Sequence, residues 1–110
     1  RSAFFAKIGR QREAMADLQA SLKIDKNNLE GYFVRGLVYA DLGNYQEAIK
    51  DFDKVIEMDY TFYKAYYSRG FCYEGLGDVD EACKNFEIAK LMGDKKAADM
   101  YHLGCEFGAW

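Results

Sequence analysis

The sequence of 110 residues contains no proline, and its ten glycines are spread along the chain. Because proline is the strongest helix breaker, its absence permits a helical interpretation of the entire sequence. The chain also lacks any run of about 18 consecutive apolar residues, which a membrane-spanning helix requires, and it lacks the layout of a signal peptide. We therefore expect no membrane association.

The sequence also has no excess of positive charge. Lysine and arginine number 15 against 18 aspartates and glutamates, a net charge of -3, so a nucleic-acid partner is not expected. The length allows one compact domain or a few short repeats rather than a two-domain enzyme. Apolar residues make up 50% of the chain and aromatic residues 16%, which is enough to build a buried core.

Cysteines are few and odd in number: Cys72, Cys83 and Cys105. All three lie within predicted helices, so the sequence favours free thiols over a disulfide framework. Free thiols are typical of a reducing compartment, and no Asn-x-Ser/Thr glycosylation site occurs. We predict a cytoplasmic location.

The chain repeats itself with a period of 34 residues. Residues 29–62 align without a gap to residues 63–96, and eleven positions are identical where about two would be expected by chance. The matching residues of the first segment are Tyr32, Arg35, Gly36, Tyr39, Leu42, Gly43, Glu47, Ala48, Lys50, Phe52 and Met58. We predict a partial first unit at 1–28, complete units at 29–62 and 63–96, and a terminal capping helix at 97–110 that begins a further unit.

Each complete unit is predicted to form a helical hairpin. Apolar residues follow helical spacing on both sides of a break centred on Gly43 in the first unit and Gly77 in the second. Glycine suits the left-handed conformation that ends a helix, and Asn44 and Asp78 suit the cap of the helix that follows.

Glycine also recurs in mid-helix, at Gly36 and Gly70, where it costs about 1 kcal/mol relative to alanine. A packing requirement must offset that cost. We expect the two helices of a unit to approach closely where Gly36 meets the small side chain of Ala48, with Tyr39 and Phe52 filling the surrounding space.

The motif Tyr32-x2-Arg35-Gly36-x2-Tyr39, followed by Ala48-x3-Phe52 and repeated 34 residues later, resembles the tetratricopeptide repeat. The resemblance implies an all-α fold, a right-handed α-solenoid of antiparallel helix pairs with about seven helices, the last at about 97–108. This chain departs from the family pattern in having tyrosine for tryptophan, arginine for leucine, and no proline near the end of each unit. We expect the arginines to be structural, with Arg35 pairing with Asp51.

The resemblance further implies that partners bind the concave wall built from the first helix of each unit. The groove positions of the family correspond here to Glu30, Phe33, Val34, Leu37, Asp41, Lys64, Tyr67, Ser68, Phe71, Glu74, Tyr101 and His102. Ala98 and Cys105 would extend the wall if the last helix stacks in register. The alternative is that the apolar members of this set pack against one another between units.

One subclass of the family holds the C-terminal carboxylate of a chaperone with lysines and asparagines. That clamp is not expected here, because Phe33, Leu37, Tyr67 and Phe71 stand where it needs polar groups. Lys64 alone would not supply convergent donors for a carboxylate.

The sequence offers no convincing catalytic or metal site. His102 and Cys105 would share a helical face, but no further ligands accompany them, and Cys72 and Cys83 occupy core positions of the repeat. Neither a glycine-rich phosphate-binding loop nor a GxSxG nucleophile elbow occurs. We therefore predict no enzyme activity, no metal and no cofactor.

Together these features predict a noncatalytic scaffold or adaptor that binds a peptide or helix of a partner protein in an apolar concave groove. One alternative is self-association through an open N-terminal edge that exposes Phe4, Phe5, Ile8 and Leu18. Another is that the chain is the repeat portion of a longer protein whose activity lies elsewhere.

Overall fold

The structure is a computed structural model that describes residues 2–25, 27–106 and 108; the side chains of residues 2–11 and 14 lie outside that description. The described chain is all-helical. Its elements are α1 (Ser2–Ile24), α2 (Leu29–Asp41), α3 (Tyr45–Met58), α4 (Tyr63–Gly75), α5 (Val79–Leu91), α6 (Lys95–Met100) and a π-helix, π1 (Tyr101–Glu106). The predicted last helix thus begins two residues early, at Lys95, and its second half is π-helical.

The helices stack as a right-handed α-solenoid, which confirms the predicted fold class. Helices α2 and α3 form one packed pair and α4 and α5 the next, while α3 and α2 both contact α4 across the junction. Helix α5 then packs against α6 and π1, and α1 packs against α2. Within the described part of the chain, no helix is both long and apolar enough to cross a membrane.

The turns between paired helices contain the predicted left-handed glycines. Gly43 has a φ of 81° and Gly77 a φ of 84°, values that glycine adopts without steric cost. The Asp78 carboxylate then accepts a hydrogen bond from the backbone N–H of Glu81 at 3.2 Å and caps α5. Asn44 occupies the same cap position before α3, but its side chain makes no cap hydrogen bond.

The mid-helix glycines are sites of close approach, and the atoms nearest to each belong to a phenylalanine ring. A Cβ on Gly36 would lie 2.6 Å from Cε1 of Phe52, and one on Gly70 would lie 2.9 Å from Cε1 of Phe86. At Gly70, the backbone oxygen of Ala82, the residue equivalent to Ala48, also lies 3.1 Å from such a Cβ. A helical side chain covers the turn N-terminal to its own Cα, so the ring of Phe52 lies over the turn of Ala48.

The recurring arginines tie the stack together. Arg35 donates from Nε and Nη2 to both carboxylate oxygens of Asp51, at 2.9 and 2.6 Å, which confirms the predicted pair. Arg69 donates instead to Asn85 at 2.7 Å, within its own unit, and to Asp53 of the preceding unit, also at 2.7 Å. The first arginine therefore braces one helix pair, whereas the second also links two units.

Helix α1 packs on α2 through Leu22, which is 6% exposed. Its side chain lies over Gly31, since a Cβ placed on Gly31 would be 3.1 Å from Cδ2 of Leu22. Of the predicted edge residues, Phe4, Phe5 and Ile8 have side chains outside the described residues. The side chain of Leu18 is half-buried.

The prediction that no disulfide forms is wrong. Cys83 on α5 and Cys105 on π1 are joined by a disulfide, with their Cα atoms 5.8 Å apart. Residues 22 apart in sequence meet here because the solenoid packs π1 directly beside α5. The odd count of cysteines is explained by Cys72, a free and fully buried thiol.

This pairing predicts a specific pattern of alkylation. Burial raises the pKa of Cys72 to about 12, so at about pH 8 only about one thiol in ten thousand is the reactive thiolate. Native, unreduced protein should incorporate no iodoacetamide. By mass spectrometry, the unfolded chain should carry one label before reduction and three after it; three labels before reduction would contradict the bridge.

Candidate functional site between helices α2, α4 and α6

A cavity of about 510 Å³ opens between α2, α4 and the start of α6, which are the first helices of successive units. We call it the groove. It is lined by Phe33, Leu37, Tyr63, Lys64, Tyr67, Ser68, Asp94, Lys95 and Lys96.

The floor of the groove is held rigid from behind by aromatic packing. The ring centroid of Phe33 lies 5.8 Å from that of Phe52 and 5.0 Å from that of Phe62. The ring of Tyr67 lies 5.7 Å from that of Phe86. Phe33 and Tyr67 therefore both pack against neighbouring aromatic rings and line the cavity, so packing and exposure to a partner are compatible at these positions.

The rim of the groove is basic. Lys64 on α4 and the consecutive Lys95 and Lys96 at the start of α6 are all exposed and line the cavity. The one carboxylate in the lining, that of Asp94, accepts a hydrogen bond at 3.0 Å from the backbone N–H of Lys96 and so caps α6. The groove thus combines an apolar floor with positive charge at its edge.

Tyr67 adds a hydroxyl group to the floor. Its pKa is raised from the ordinary value, mainly by burial and then by the negative charges of Asp94 and Glu74. The phenol therefore stays protonated at physiological pH and keeps its O–H available as a hydrogen-bond donor.

The structure brings some of the predicted groove residues together and leaves others outside. Phe33, Leu37, Lys64, Tyr67 and Ser68 line one cavity. The remaining predicted residues of α2 and α4 do not line it: Glu30, Val34, Asp41, Phe71 and Glu74. Val34 and Phe71 are nonetheless exposed, at 43% and 46%, so the apolar surface of these two helices extends beyond the cavity.

The predicted residues of the last helix face α5 or their own helix. The hydroxyl of Tyr101 donates to Oε2 of Glu87 at 2.9 Å, and the Nζ of Lys90 lies 4.5 Å from the Tyr101 ring centroid. The Nδ1 of His102 is 3.0 Å from Oε2 of Glu106, one turn along the same helix. Neither ring lines the groove.

Cys105 cannot act with His102 as a nucleophile or a metal ligand, because its sulfur is bonded to that of Cys83. Across residues 2–25, 27–106 and 108, no three His, Cys, Asp or Glu side chains are grouped as a metal site would require.

Sequence reasoning missed four lining residues: Tyr63, Asp94, Lys95 and Lys96. The predicted last helix begins at 97, which places the two lysines in the connection before it. The signal for an earlier start was Gly93-Asp94, since Gly93 has a φ of 103° and Asp94 is the N-cap residue of α6.

Models of the tetratricopeptide repeat match residues 29–59 and 63–89. Together the two matches span more than half of the chain, and they coincide with the pairs α2–α3 and α4–α5. This chain belongs to the tetratricopeptide repeat family, whose fold serves in general as a protein-interaction scaffold.

Solved structures agree with that assignment. A crystal structure of MamA is 36% identical over 88% of this chain and 56% of that chain, with a TM-score of 0.74. The second TPR domain of human RPAP3, determined in complex with an HSP70 peptide, is 29% identical over 93% of this chain and 87% of that one, with a TM-score of 0.78.

YrrB, a TPR protein with an unusual peptide-binding site, is 26% identical over 84% of this chain and 48% of that one, with a TM-score of 0.76. The chain thus spans about half the length of the MamA and YrrB chains. A comparison with curated protein sequences gives no significant match.

Proposed function

We propose that this chain is a noncatalytic scaffold that binds a peptide or helix of a partner protein in the groove. The observation that carries the proposal is an open cavity whose floor is apolar and braced by the core, located between the first helices of successive repeats. A braced apolar floor supports binding because it gains affinity from buried area without paying to order flexible side chains.

The related structures support the same class of function. The human RPAP3 domain binds an HSP70 peptide, and YrrB has a peptide-binding site. Solenoids present such concave surfaces to extended partners, which is how a noncatalytic repeat module acts in an assembly. The division into units at 1–28, 29–62, 63–96 and 97–110 is part of this proposal, as is the absence of a nucleic-acid or membrane partner.

The predicted cytoplasmic location now has an observation against it. A disulfide such as Cys83–Cys105 persists mainly in oxidising compartments, whereas cytosolic thiols are kept reduced. Alkylating cells before lysis and then counting free thiols on this chain would decide between the two environments.

The proposal is tested by shortening two exposed apolar side chains, one in the groove lining and one on the apolar surface that extends beyond it. Leu37 is 38% exposed on α2, and Phe71 lies one turn beyond Tyr67 on α4 and is 46% exposed. We expect Leu37→Ala with Phe71→Ala to reduce capture of the native partner at least about tenfold, because each truncation removes about 1 kcal/mol or more of apolar contact. Quantitative mass spectrometry after affinity capture measures the change.

The control truncates two exposed leucines away from the groove. Leu76 is 45% exposed and Leu91 is 77% exposed, at the ends of α4 and α5. Leu76→Ala with Leu91→Ala should leave capture unchanged, and circular dichroism should report the same helicity for both double variants. Equal capture by the groove variant and the parent chain would defeat the proposal.

Self-association through the N-terminal edge stays the second hypothesis. Nothing in the described residues supports it over peptide binding. Light scattering over a concentration series distinguishes the two, since a strictly monomeric chain would remove self-association. The further alternative, an activity located outside this chain, is decided by the sequence of the full-length protein.

A further inference from the structure

We propose that the groove binds an acidic internal segment of the partner, with one apolar side chain on the floor and flanking carboxylates at the lysine rim. The inference rests on the proposed function and specifies the chemistry of the partner. It follows from the distribution of charge around the cavity, which differs in sign from that of the whole chain.

The charge of the groove lining is opposite in sign to the net charge of the chain. The chain carries a net charge of -3, yet the cavity lining contains three lysines and a single aspartate. The carboxylate of Asp94 is already engaged as the cap of α6. A positive rim in an acidic protein attracts negatively charged segments and disfavours basic ones.

The rim lysines differ in their ion pairing from four other lysines of the described chain. Four other lysines, Lys50, Lys54, Lys84 and Lys90, each lie within 4.0 Å of a glutamate oxygen on the helix surface. Among the described residues, Lys64, Lys95 and Lys96 have no carboxylate oxygen within that distance. Their ammonium groups therefore remain available for carboxylates supplied by another chain.

The chemistry of lysine determines which acidic groups the rim favours. An ammonium on a flexible stem acts as a point charge with three donors and does not impose the fixed fork geometry of arginine. The other polar groups of the lining are the hydroxyls of Ser68, Tyr63 and Tyr67, and no asparagine or arginine is present. Such a rim recognises charge density rather than the shape of a single terminal carboxylate, so it suits two or more acidic side chains on one segment.

The floor sets the remaining requirement. Phe33, Leu37 and Tyr67 offer an apolar surface wide enough for one bulky side chain, and the Tyr67 hydroxyl can donate to a backbone carbonyl of the bound segment. The segment that fits is therefore an aliphatic or aromatic residue with aspartates or glutamates on both sides.

The test measures binding of defined peptides to the full chain by fluorescence anisotropy. The probe is a fluorescein-labelled peptide of about nine residues, capped at both ends, with a central leucine flanked on each side by two glutamates. Its matched control has glutamine at the four glutamate positions. We expect the acidic peptide to bind about tenfold more tightly at about 50 mM salt, and this advantage to shrink as added salt screens the rim.

Variants of the chain assign the effect to the rim. Lys95→Gln with Lys96→Gln should weaken the acidic peptide about fivefold to tenfold and leave the glutamine peptide unchanged. The control, Lys50→Gln with Lys84→Gln, removes the same charge from lysines outside the groove and should change the affinity less than about twofold.

The outcomes separate this inference from the proposed function. Equal affinity for the two peptides, no effect of the rim variants, or binding only when the C-terminal carboxylate is left free would each overturn the acidic internal segment. The proposed function would survive any of these results if Leu37→Ala with Phe71→Ala still reduced capture of the native partner at least about tenfold.

Discussion

Replacing Arg35 with leucine should lower the free energy of unfolding by about 3 kcal/mol, measured by urea denaturation followed by circular dichroism. The Asp51 side chain is 5% exposed, and both of its carboxylate oxygens accept a hydrogen bond from the guanidinium of Arg35. Leucine is the usual family residue at this position, so the substitution preserves an apolar packing surface. It leaves a buried carboxylate without its partner, however, and that desolvated charge dominates the loss.

The next repeat supplies the matched comparison. Arg69 occupies the equivalent position, but its partners are the neutral amide of Asn85 and the carboxylate of Asp53, which is 54% exposed. After Arg69→Leu, Nδ2 of Asn85 still donates to the carbonyl of Glu81 at 2.9 Å and Asp53 is solvated by water, but the buried Oδ1 of Asn85 loses its donor. We expect this loss at a neutral acceptor to lower the unfolding free energy by about 1 to 2 kcal/mol, less than the unpaired charge of Asp51 does. Equal losses at the two arginines would contradict the role given to the buried charge.

A double substitution isolates the interaction. Arg35→Leu with Asp51→Leu removes the unpaired carboxylate, so stability should return to within about 1 kcal/mol of the parent chain. A double variant as unstable as Arg35→Leu alone would mean that lost packing of the arginine stem, rather than the stranded charge, causes the effect.

The repeat explains how much of this structure was predictable. Contacts within one helix pair are set by residues about 16 apart and recur every 34, so the hairpin turns at Gly43 and Gly77 and the Arg35–Asp51 pair could be inferred from sequence. Each depends only on local helix geometry and one tight turn. The family resemblance predicted that Phe33 and Tyr67 share one wall, and both line the cavity.

The end of the chain was harder to predict because its helix changes type. Hydrogen bonds from i to i+5 place more residues in each turn of π1, so successive side chains rotate by less than the α-helical register assumes. Cys105, four residues into π1, therefore reaches Cys83 on α5, where an α-helical register predicted a continued groove wall. No pattern in the sequence marks this change of pitch.

The charge of the groove rim could not be predicted from the repeat. Lys95 and Lys96 correspond by the 34-residue period to Thr61 and Phe62, neither of which is charged. A position that differs between units carries no repeat signal, yet such positions give each module its own ligand chemistry on a common scaffold. The apolar floor follows from the repeat, and the charge of the rim departs from it.

Adding a side chain at Gly36 should have the other large effect on stability. A Cβ there lies 2.6 Å from Cε1 of Phe52, a ring that is fully buried and has no room to retreat. Gly36→Leu should lower the unfolding free energy by about 3 kcal/mol through overpacking, measured by urea denaturation. Gly36→Ala gains about 1 kcal/mol in helix propensity but meets the same ring, so we expect a net loss of about 1 kcal/mol.

The control uses the same helix and adds one carbon atom, as Gly36→Ala does. Val34 is 43% exposed two residues earlier, so Val34→Leu enlarges α2 without meeting a buried neighbour and should change stability by less than about 0.5 kcal/mol. Alanine at Gly36 separates the two physical effects, because propensity and packing act there with opposite sign. If Gly36→Ala stabilised the chain, helix propensity would outweigh the contact with Phe52, and close approach could not be the reason that glycine recurs at this position in both repeats.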